Sequence, residues 1–351
     1  MSLRSFKITD YDYTLPRKLI AQHPKAKRDE SRLLVLHRKS SRIEHKRFFE
    51  IIEYFNSGDV LVLNDTKVIH AKISGYRITG GKVEALVIKE INDGVWEMLL
   101  RSNNKLMENE PLFFDDKTLK GEIVCKNKTG SWVIKFKDAK KFIEFLENSG
   151  RMPLPPYIKR NSEDEPLRKM DEKCYQTIYA KKTGAIAAPT AGLHFTETLL
   201  EKINKKGIKI VYLTLHVGLG TFKSIKEENF TKHTMHKEFY TISKETIDKI
   251  NKAKLLGKKI IATGTTACRV LETIARNGKI KENSGWTDLF IYPPYNFMLT
   301  DSLITNFHLQ KTSLILLVSA FAGRENILEA YETAISLGYR FYSYGDCMLV
   351  I

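Results

Sequence analysis

The chain predicts a mixed α/β main domain carrying an inserted small antiparallel β-barrel domain. Three observations lead there. Apolar runs of strand length alternate with helical stretches in the first and last parts of the chain. Between them, β-branched and aromatic runs recur at roughly ten-residue spacing with glycine turns, the pattern of a small barrel. The 351 residues also exceed what one ordinary core organises. The expected division is a discontinuous α/β domain of residues 1–66 and 151–351, with the barrel domain at 67–150.

In the first part, Arg32–Leu36 reads as a buried strand. His45 to Phe55 places Phe48, Phe49, Ile51, Ile52 and Phe55 at helical spacing, Ser57-Gly58 ends it, and Asp59–Leu63 is a second buried strand. The central strands fall at Val68–Ile73, Lys82–Ile91, Val95–Leu100, Leu119–Cys125 and Ser131–Phe136. Ser74-Gly75, Thr79-Gly80-Gly81, Asn92-Asp93-Gly94 and Thr129-Gly130 supply the turns. Asp138 then caps a helix bearing Phe142, Ile143 and Leu146, with Gly150 at its end. In the last part, strands are expected at Ile208–Leu215, Lys259–Thr263, Leu289–Tyr292, Tyr339–Tyr342 and Met348–Ile351. Helices are expected at Lys244–Leu256, Ala267–Arg276 and Glu325–Leu337, ended by Gly257, Gly278 and Gly338. Met235 and Met298 are expected in the core.

Hydrophobic residues make up 42% of the chain, which excludes a disordered protein. Four isolated cysteines, Cys125, Cys174, Cys268 and Cys347, form no C-x-x-C pair; this argues against a zinc ribbon or disulfide framework and fits a reducing cytosol. The longest apolar run, Leu314 to Ala322, is broken by Ser319 and too short to span a bilayer, so a soluble cytoplasmic protein is expected. The net charge of +16 is spread evenly: 13 basic against 9 acidic residues in 1–65, 16 against 12 in 66–151, and 28 against 20 in 152–351. Such a spread suits a broad polyanion-binding face or a lysine-rich solubilising surface.

Ligand sites in α/β folds lie at the carboxyl ends of strands, so polar and small residues just after strands matter most. Asn64-Asp65-Thr66 follows the second strand; Asp65 can hold a ribose hydroxyl or act as a base, and the plainer alternative is an Asx turn. Pro189-Thr190-Ala191-Gly192-Leu193-His194-Phe195 lets backbone approach a ligand and offers His194 for proton transfer, with Thr196 capping the next helix. Thr214–Phe222 holds His216, Gly218 and Gly220; its G-x-G lacks the third glycine and a following helix, which excludes a Rossmann dinucleotide site. His233-Thr234-Met235-His236-Lys237-Glu238 is a poor metal motif, better suited to proton transfer or RNA contact, and no metal is expected. Gly264-Thr265-Thr266 with Arg269 opens a helix and makes an anion or carboxylate site. Thr305-Asn306-Phe307-His308 and Tyr342-Ser343-Tyr344-Gly345-Asp346 complete the set.

Taken together, these stretches resemble the S-adenosylmethionine:tRNA ribosyltransferase-isomerase family of queuosine biosynthesis. The resemblance runs nearly end to end. It includes Asp10-Tyr11-Asp12-Tyr13, Leu19-Ile20-Ala21-Gln22, Ser31-Arg32-Leu33-Leu34, Thr79-Gly80-Gly81-Lys82-Val83-Glu84, Pro153–Ile158 and Tyr175-Gln176-Thr177, with Pro189–Phe195 the most specific piece. Pro294, Gln310 and Leu219 depart from the family pattern without removing an ionisable residue.

The resemblance implies transfer and isomerisation of the ribosyl group of S-adenosylmethionine onto 7-aminomethyl-7-deazaguanine at the tRNA wobble position. The product is epoxyqueuosine-tRNA, and adenine and methionine leave. It implies no cofactor, S-adenosylmethionine being a consumed co-substrate, and partner tRNAs with a G-U-N anticodon; a monomer is expected. Groups titrating near neutrality suit the proton transfers, which nominates His194, His216, Asp65, His233 and His236, with His216 or His194 as the base. Asp346 or Glu238 is expected to support the sulfonium or ribose, and Thr265, Thr266 and Arg269 the methionine carboxylate. Asn64, Thr66, Pro189, Thr190, Ala191, Gly192, Phe195, Gly218, Gly220, Gly264, Asn306, His308 and Tyr344 complete the expected substrate-binding residues. The alternatives are an S-adenosylmethionine-dependent RNA methyltransferase and a non-catalytic tRNA-binding protein.

Overall fold

The computed structural model describes residues 6–161, 164–218, 224–275 and 284–351. The chain opens with β1 (Arg32–His37), β2 (Arg42–Arg47), β3 (Val60–Asn64) and β4 (Thr66–Val68). Next come β5 (Lys72–Arg77), β6 (Lys82–Asn92), β7 (Val95–Ser102), β8 (Pro111–Phe114), β9 (Leu119–Lys126) and β10 (Trp132–Phe136). The chain then runs through α1 (Ala139–Ser149), α2 (Glu165–Cys174), β11 (Lys182–Ala185), α3 (Glu197–Lys205), β12 (Lys209–Leu215), β13 (Glu238–Ile242) and α4 (Lys244–Leu255). It finishes with β14 (Ile260–Thr263), α5 (Gly264–Ala275), β15 (Ser284–Thr287), β16 (Ser302–Asn306), α6 (Ser313–Ala322), α7 (Arg324–Ser336) and β17 (Cys347–Val350).

The run Val60-Leu61-Val62-Leu63 is apolar on both faces because β3 lies inside a nine-stranded sheet of order β15-β13-β12-β3-β14-β16-β17-β1-β2. Alternation divides its side chains. Val60 and Val62 join Leu34, Leu36, Ile260, Ala262, Met348 and Val350 in one core, under α4 to α7. Leu61 and Leu63 join Leu33, Val35, Ile261, Ile304 and Leu349 in the core on the other face, covered by α3 and the 3-10 helix Phe48–Tyr54. The strands β12, β3, β14 and β16 are mutually parallel, so their carboxyl ends share one edge of the sheet.

The barrel closes in the order β10-β7-β6-β5-β8-β9, every pair antiparallel. Its alternating buried residues form a separate apolar core. Helix α1, capped by Asp138 accepting from Lys141 N at 2.8 Å, lays Phe142 flat on Phe136, ring centroids 3.9 Å apart. A short parallel pair, β4 with β11, lies outside both sheets.

Several expected elements differ. His45–Arg47 belongs to β2, paired with β1, and only Phe48–Tyr54 is helical, as a 3-10 turn. Ser74-Gly75 is no turn: it lies inside β5, where a Cβ on Gly75 would come within 2.6 Å of the Phe114 ring. The short β8, after the Glu-Asn-Glu run at 108–110, gives too little periodicity to register. Leu289–Tyr292 and Tyr339–Tyr342 are not strands; Phe341 makes a single bridge to Ile20, and the edge strand is β15. Helix α5 begins at Gly264 rather than Ala267, while Arg276 and Gly278 lie outside the described residues. Met298 is 53% exposed and Met235 half-buried, so neither is a core residue. No described helix is long and apolar enough to cross a membrane.

Candidate active site

The shared strand edge holds a cleft of about 510 Å³, open mouth included. Small residues of the loop after β11 (Ala188, Pro189, Thr190 and Ala191) form one wall. Gly264, Thr265 and Thr266 form a second, and Thr305 to Leu309 a third. Tyr157, Val217, Leu314, Tyr342 and Ser343 complete the lining, which among the described residues contains no Asp, Glu, Lys or Arg.

β14 passes into α5 without a loop, which Gly264 allows by adopting φ +84°. The first amides of this twelve-residue helix, with the Thr265 and Thr266 hydroxyls, therefore present a partial positive charge at the cleft. Asn64 ties this end to its neighbours. Its Nδ2 donates to the Leu215 carbonyl at 3.0 Å and to Thr266 Oγ1 at 3.3 Å, and its oxygen accepts from the amides of Leu215 and Thr66.

Three of the five nominated histidines, His194, His308 and His216, lie in or beside the cleft wall, each in a different setting. His194 is buried beneath the cleft wall, with Nδ1 2.7 Å from Ser31 Oγ and Nε2 3.2 Å from Asn306 Nδ2. Burial pulls its pKa down to about 4, so the ring is neutral at pH 7. His308 lines the cleft with Nε2 2.6 Å from Thr305 Oγ1, and burial pulls its pKa down to about 3. His216 is half-buried just outside the cleft lining; its Nδ1 is 2.8 Å from Thr66 Oγ1, and burial lowers its pKa against the opposing charge of Asp65. Asp65 itself is buried and accepts from Thr214 Oγ1 at 2.6 Å.

The other nominees are held by the protein. Arg269 is buried in an ion pair with Glu238 and donates from Nε to the Leu289 carbonyl at 3.1 Å, while the second Glu238 oxygen accepts from Gly218 N at 2.8 Å. Arg269 thus faces a carboxylate of its own chain, and it lines a smaller hollow together with Thr265 and Thr266. Asp346, expected near the sulfonium or ribose, instead accepts from the amides of Arg32 and Arg340 at 2.9 and 2.8 Å and from the Arg32 guanidinium. Tyr344 donates to Asp171 at 2.9 Å and lines a separate hollow of about 340 Å³ with Arg28, Ser31 and His194. His233 pairs with Glu227 at 3.3 Å, and His236 is exposed. Gly192 and Phe195 lie behind the loop wall, Phe195 edge-on to Phe48. Gly220, with Leu219, Thr221 and Phe222 of the same stretch, lies outside the described residues. Among the described residues no three His, Cys, Asp or Glu side chains gather as a metal site.

The cleft therefore unites Pro189, Thr190, Ala191, Gly264, Thr265, Thr266, Asn306 and His308 from the sequence-derived set. Val217 and Tyr342 lie in candidate stretches without having been given a role, and Tyr157, Leu309 and Leu314 were not among the candidate site residues. Tyr157 and Tyr342 pack at 4.8 Å although 185 residues apart, a proximity that only the motif-rich Pro153–Ile158 and Tyr342–Asp346 stretches hinted at.

A hydroxyl-lined cleft at parallel strand ends, bounded by a helix N-terminus, is the kind of site where α/β enzymes take small polar ligands. The model of the queuosine biosynthesis protein family matches residues 8–350. The chain is 51% identical over 346 residues to the S-adenosylmethionine:tRNA ribosyltransferase-isomerase of Acetivibrio thermocellus, covering 98% of this chain and 99% of that one. It is 49% identical, with the same coverage, to the protein of that name from Clostridium kluyveri. The crystal structure of S-adenosylmethionine tRNA ribosyltransferase from Thermotoga maritima is similar too, at TM-score 0.56 and 38% identity over 97% of this chain and 100% of that chain. The chain belongs to the queuosine biosynthesis protein family.

Proposed function

We propose that this protein transfers and isomerises the ribosyl group of S-adenosylmethionine onto 7-aminomethyl-7-deazaguanine at the wobble position of tRNA. Epoxyqueuosine-tRNA forms, and adenine and methionine depart. The carrying observation is near full-length identity of 49–51% to enzymes named for this reaction, joined to a cleft built for a polar small molecule.

The proposed division of labour follows from what each group has free. The amides and hydroxyls at Gly264, Thr265 and Thr266 receive the methionine carboxylate, as helix N-termini favour anions. The sulfonium meets the rings of Tyr157 and Tyr342, since no carboxylate lines the cleft among the described residues. Of the two candidate bases, both ring nitrogens of His194 have protein partners, whereas His216 has only Nδ1 engaged among the described residues. His216, neutral at pH 7, is the proposed base for the proton beside the sulfonium.

The same reading includes tRNAs with a G-U-N anticodon, a monomeric enzyme in the cytoplasm, no metal or other cofactor, and residues 67–150 as a barrel domain inserted in the α/β domain. The +16 charge supports binding of a folded polyanion, so tRNA affinity should fall steeply with salt while S-adenosylmethionine affinity changes little.

The test mixes enzyme, S-adenosylmethionine and tRNA carrying the aminomethyl base. Equal release of adenine and methionine is expected. Release of S-adenosylhomocysteine would establish a methyltransferase instead, and no release a binding protein.

A further inference from the structure

The amide of Asn306 is held from its nitrogen side alone. Nδ2 lies 3.2 Å from His194 Nε2, 3.2 Å from the Tyr342 carbonyl oxygen and 3.5 Å from the Asp346 carbonyl oxygen. Two of these are carbonyls, which only accept, so turning the amide over would set oxygen against oxygen. The orientation is therefore fixed. Oδ1 is left with no partner among the described residues, although Asn306 is only 2% exposed and forms part of the cleft wall. A buried acceptor in this position is destabilising until a donor arrives.

The orientation sets the state of His194. Its Nε2 must accept from Asn306, so the ring proton is on Nδ1, which donates to Ser31 Oγ at 2.7 Å. Ser31 in turn donates to the Arg28 carbonyl at 3.2 Å. Phe48 packs on the imidazole with centroids 5.0 Å apart and backs the ring. Burial keeps the ring uncharged, so Nε2 remains an acceptor through the physiological range.

We infer that Ser31, His194 and Asn306 form a positioning relay that presents Asn306 Oδ1 to a neutral N–H or O–H donor on the adenosyl half of S-adenosylmethionine. The inference rests on the ligand assigned under the proposed function. It makes His194 a positioning residue and not the base. The donor is the adenine amino group or a ribose hydroxyl, both of which carry the chemistry that an uncharged amide oxygen accepts.

Calorimetric binding, which needs no turnover, tests this with three ligands: S-adenosylmethionine, its hypoxanthine counterpart and its 2′-deoxy counterpart. The wild type should bind one of the two counterparts at least about tenfold more weakly, the usual size of one lost buried hydrogen bond. That counterpart identifies the donor. Asn306→Ala should bind S-adenosylmethionine more weakly by a similar factor and lose the discrimination. His194→Phe should behave the same way, and His194→Gln, which restores an acceptor, should recover most of the affinity. The inference is overturned if Asn306→Ala keeps wild-type affinity, keeps the discrimination, or weakens all three ligands equally as a folding defect would. A wild type that binds S-adenosylmethionine but releases no adenine would instead overturn the proposed reaction and leave this contact standing.

Discussion

The cleft and the barrel solve opposite problems. The barrel core is apolar and aromatic, with Phe136 packed against both Phe114 and Phe142, and its stability rests on buried apolar area. The cleft region buries Asn64, Asp65, His194, Glu238, Arg269, Asn306 and Asp346. Nearly all their polar atoms are bound by other protein groups, and the exception, Asn306 Oδ1, lies at the cleft. Of the seven buried side-chain polar atoms without a hydrogen-bond partner among the described residues, Asn306 Oδ1 is the one that belongs to a residue of the cleft wall, where a ligand can supply the missing donor. The barrel confers stability by area, whereas the cleft region holds its residues in fixed places by pairing.

Variants can break this contrast. The largest effect is expected for Arg269→Ala, which leaves Glu238 buried without its guanidinium. Breaking such a pair costs about 3–5 kcal/mol, read as a lower urea midpoint. A midpoint within error of wild type would show that Arg269 is free for substrate after all. Phe136→Ala should lose about 3–5 kcal/mol by opening a cavity in the barrel, yet leave S-adenosylmethionine affinity of the folded protein unchanged. A changed affinity would mean that the two regions are coupled.

A smaller effect concerns pH. His194 stays neutral in the fold down to about pH 4, while the unfolded chain protonates near 6.5. Its contribution is complete above pH 6.5 and is lost as pH falls toward 4, amounting to roughly 2 kcal/mol between pH 7 and 5. His194→Gln should therefore show a shallower fall of stability over that window, and parallel curves would count against a neutral, buried ring. The smallest effect is Asp138→Ala, which removes the cap of α1 and should cost about 1 kcal/mol with normal activity.

Legibility followed the same contrast. Small and hydroxyl residues immediately after strands, at Pro189–Ala191, Gly264–Thr266 and Thr305–His308, were readable because strand ends in α/β folds make sites. Tyr342 fell in a candidate stretch, but Tyr157 and Leu314 were not readable, since only tertiary packing brings them to those strand ends. Arg269 and Asp346 were read as ligand groups because a sequence shows a charge but not its partner; in the fold Arg269 pairs with Glu238 and Asp346 with Arg32. In the barrel, four expected strands fall on β6, β7, β9 and β10, but the one expected at Val68–Ile73 is instead β5 (Lys72–Arg77), because Gly75 signalled a turn where the fold uses its missing side chain to admit Phe114. The short β8 carries too few residues for a period.

The most direct test of the central claim follows the ribose carbons. S-adenosylmethionine labelled with carbon-13 throughout the ribose is incubated with enzyme and tRNA carrying the aminomethyl-deazaguanine, and the digested nucleosides are weighed by mass spectrometry. All of the ribose label should appear on the wobble nucleoside, with unlabelled adenine and methionine in solution. Label that stays in the small-molecule fraction, or a tRNA heavier by a methyl group alone, would contradict ribosyl transfer.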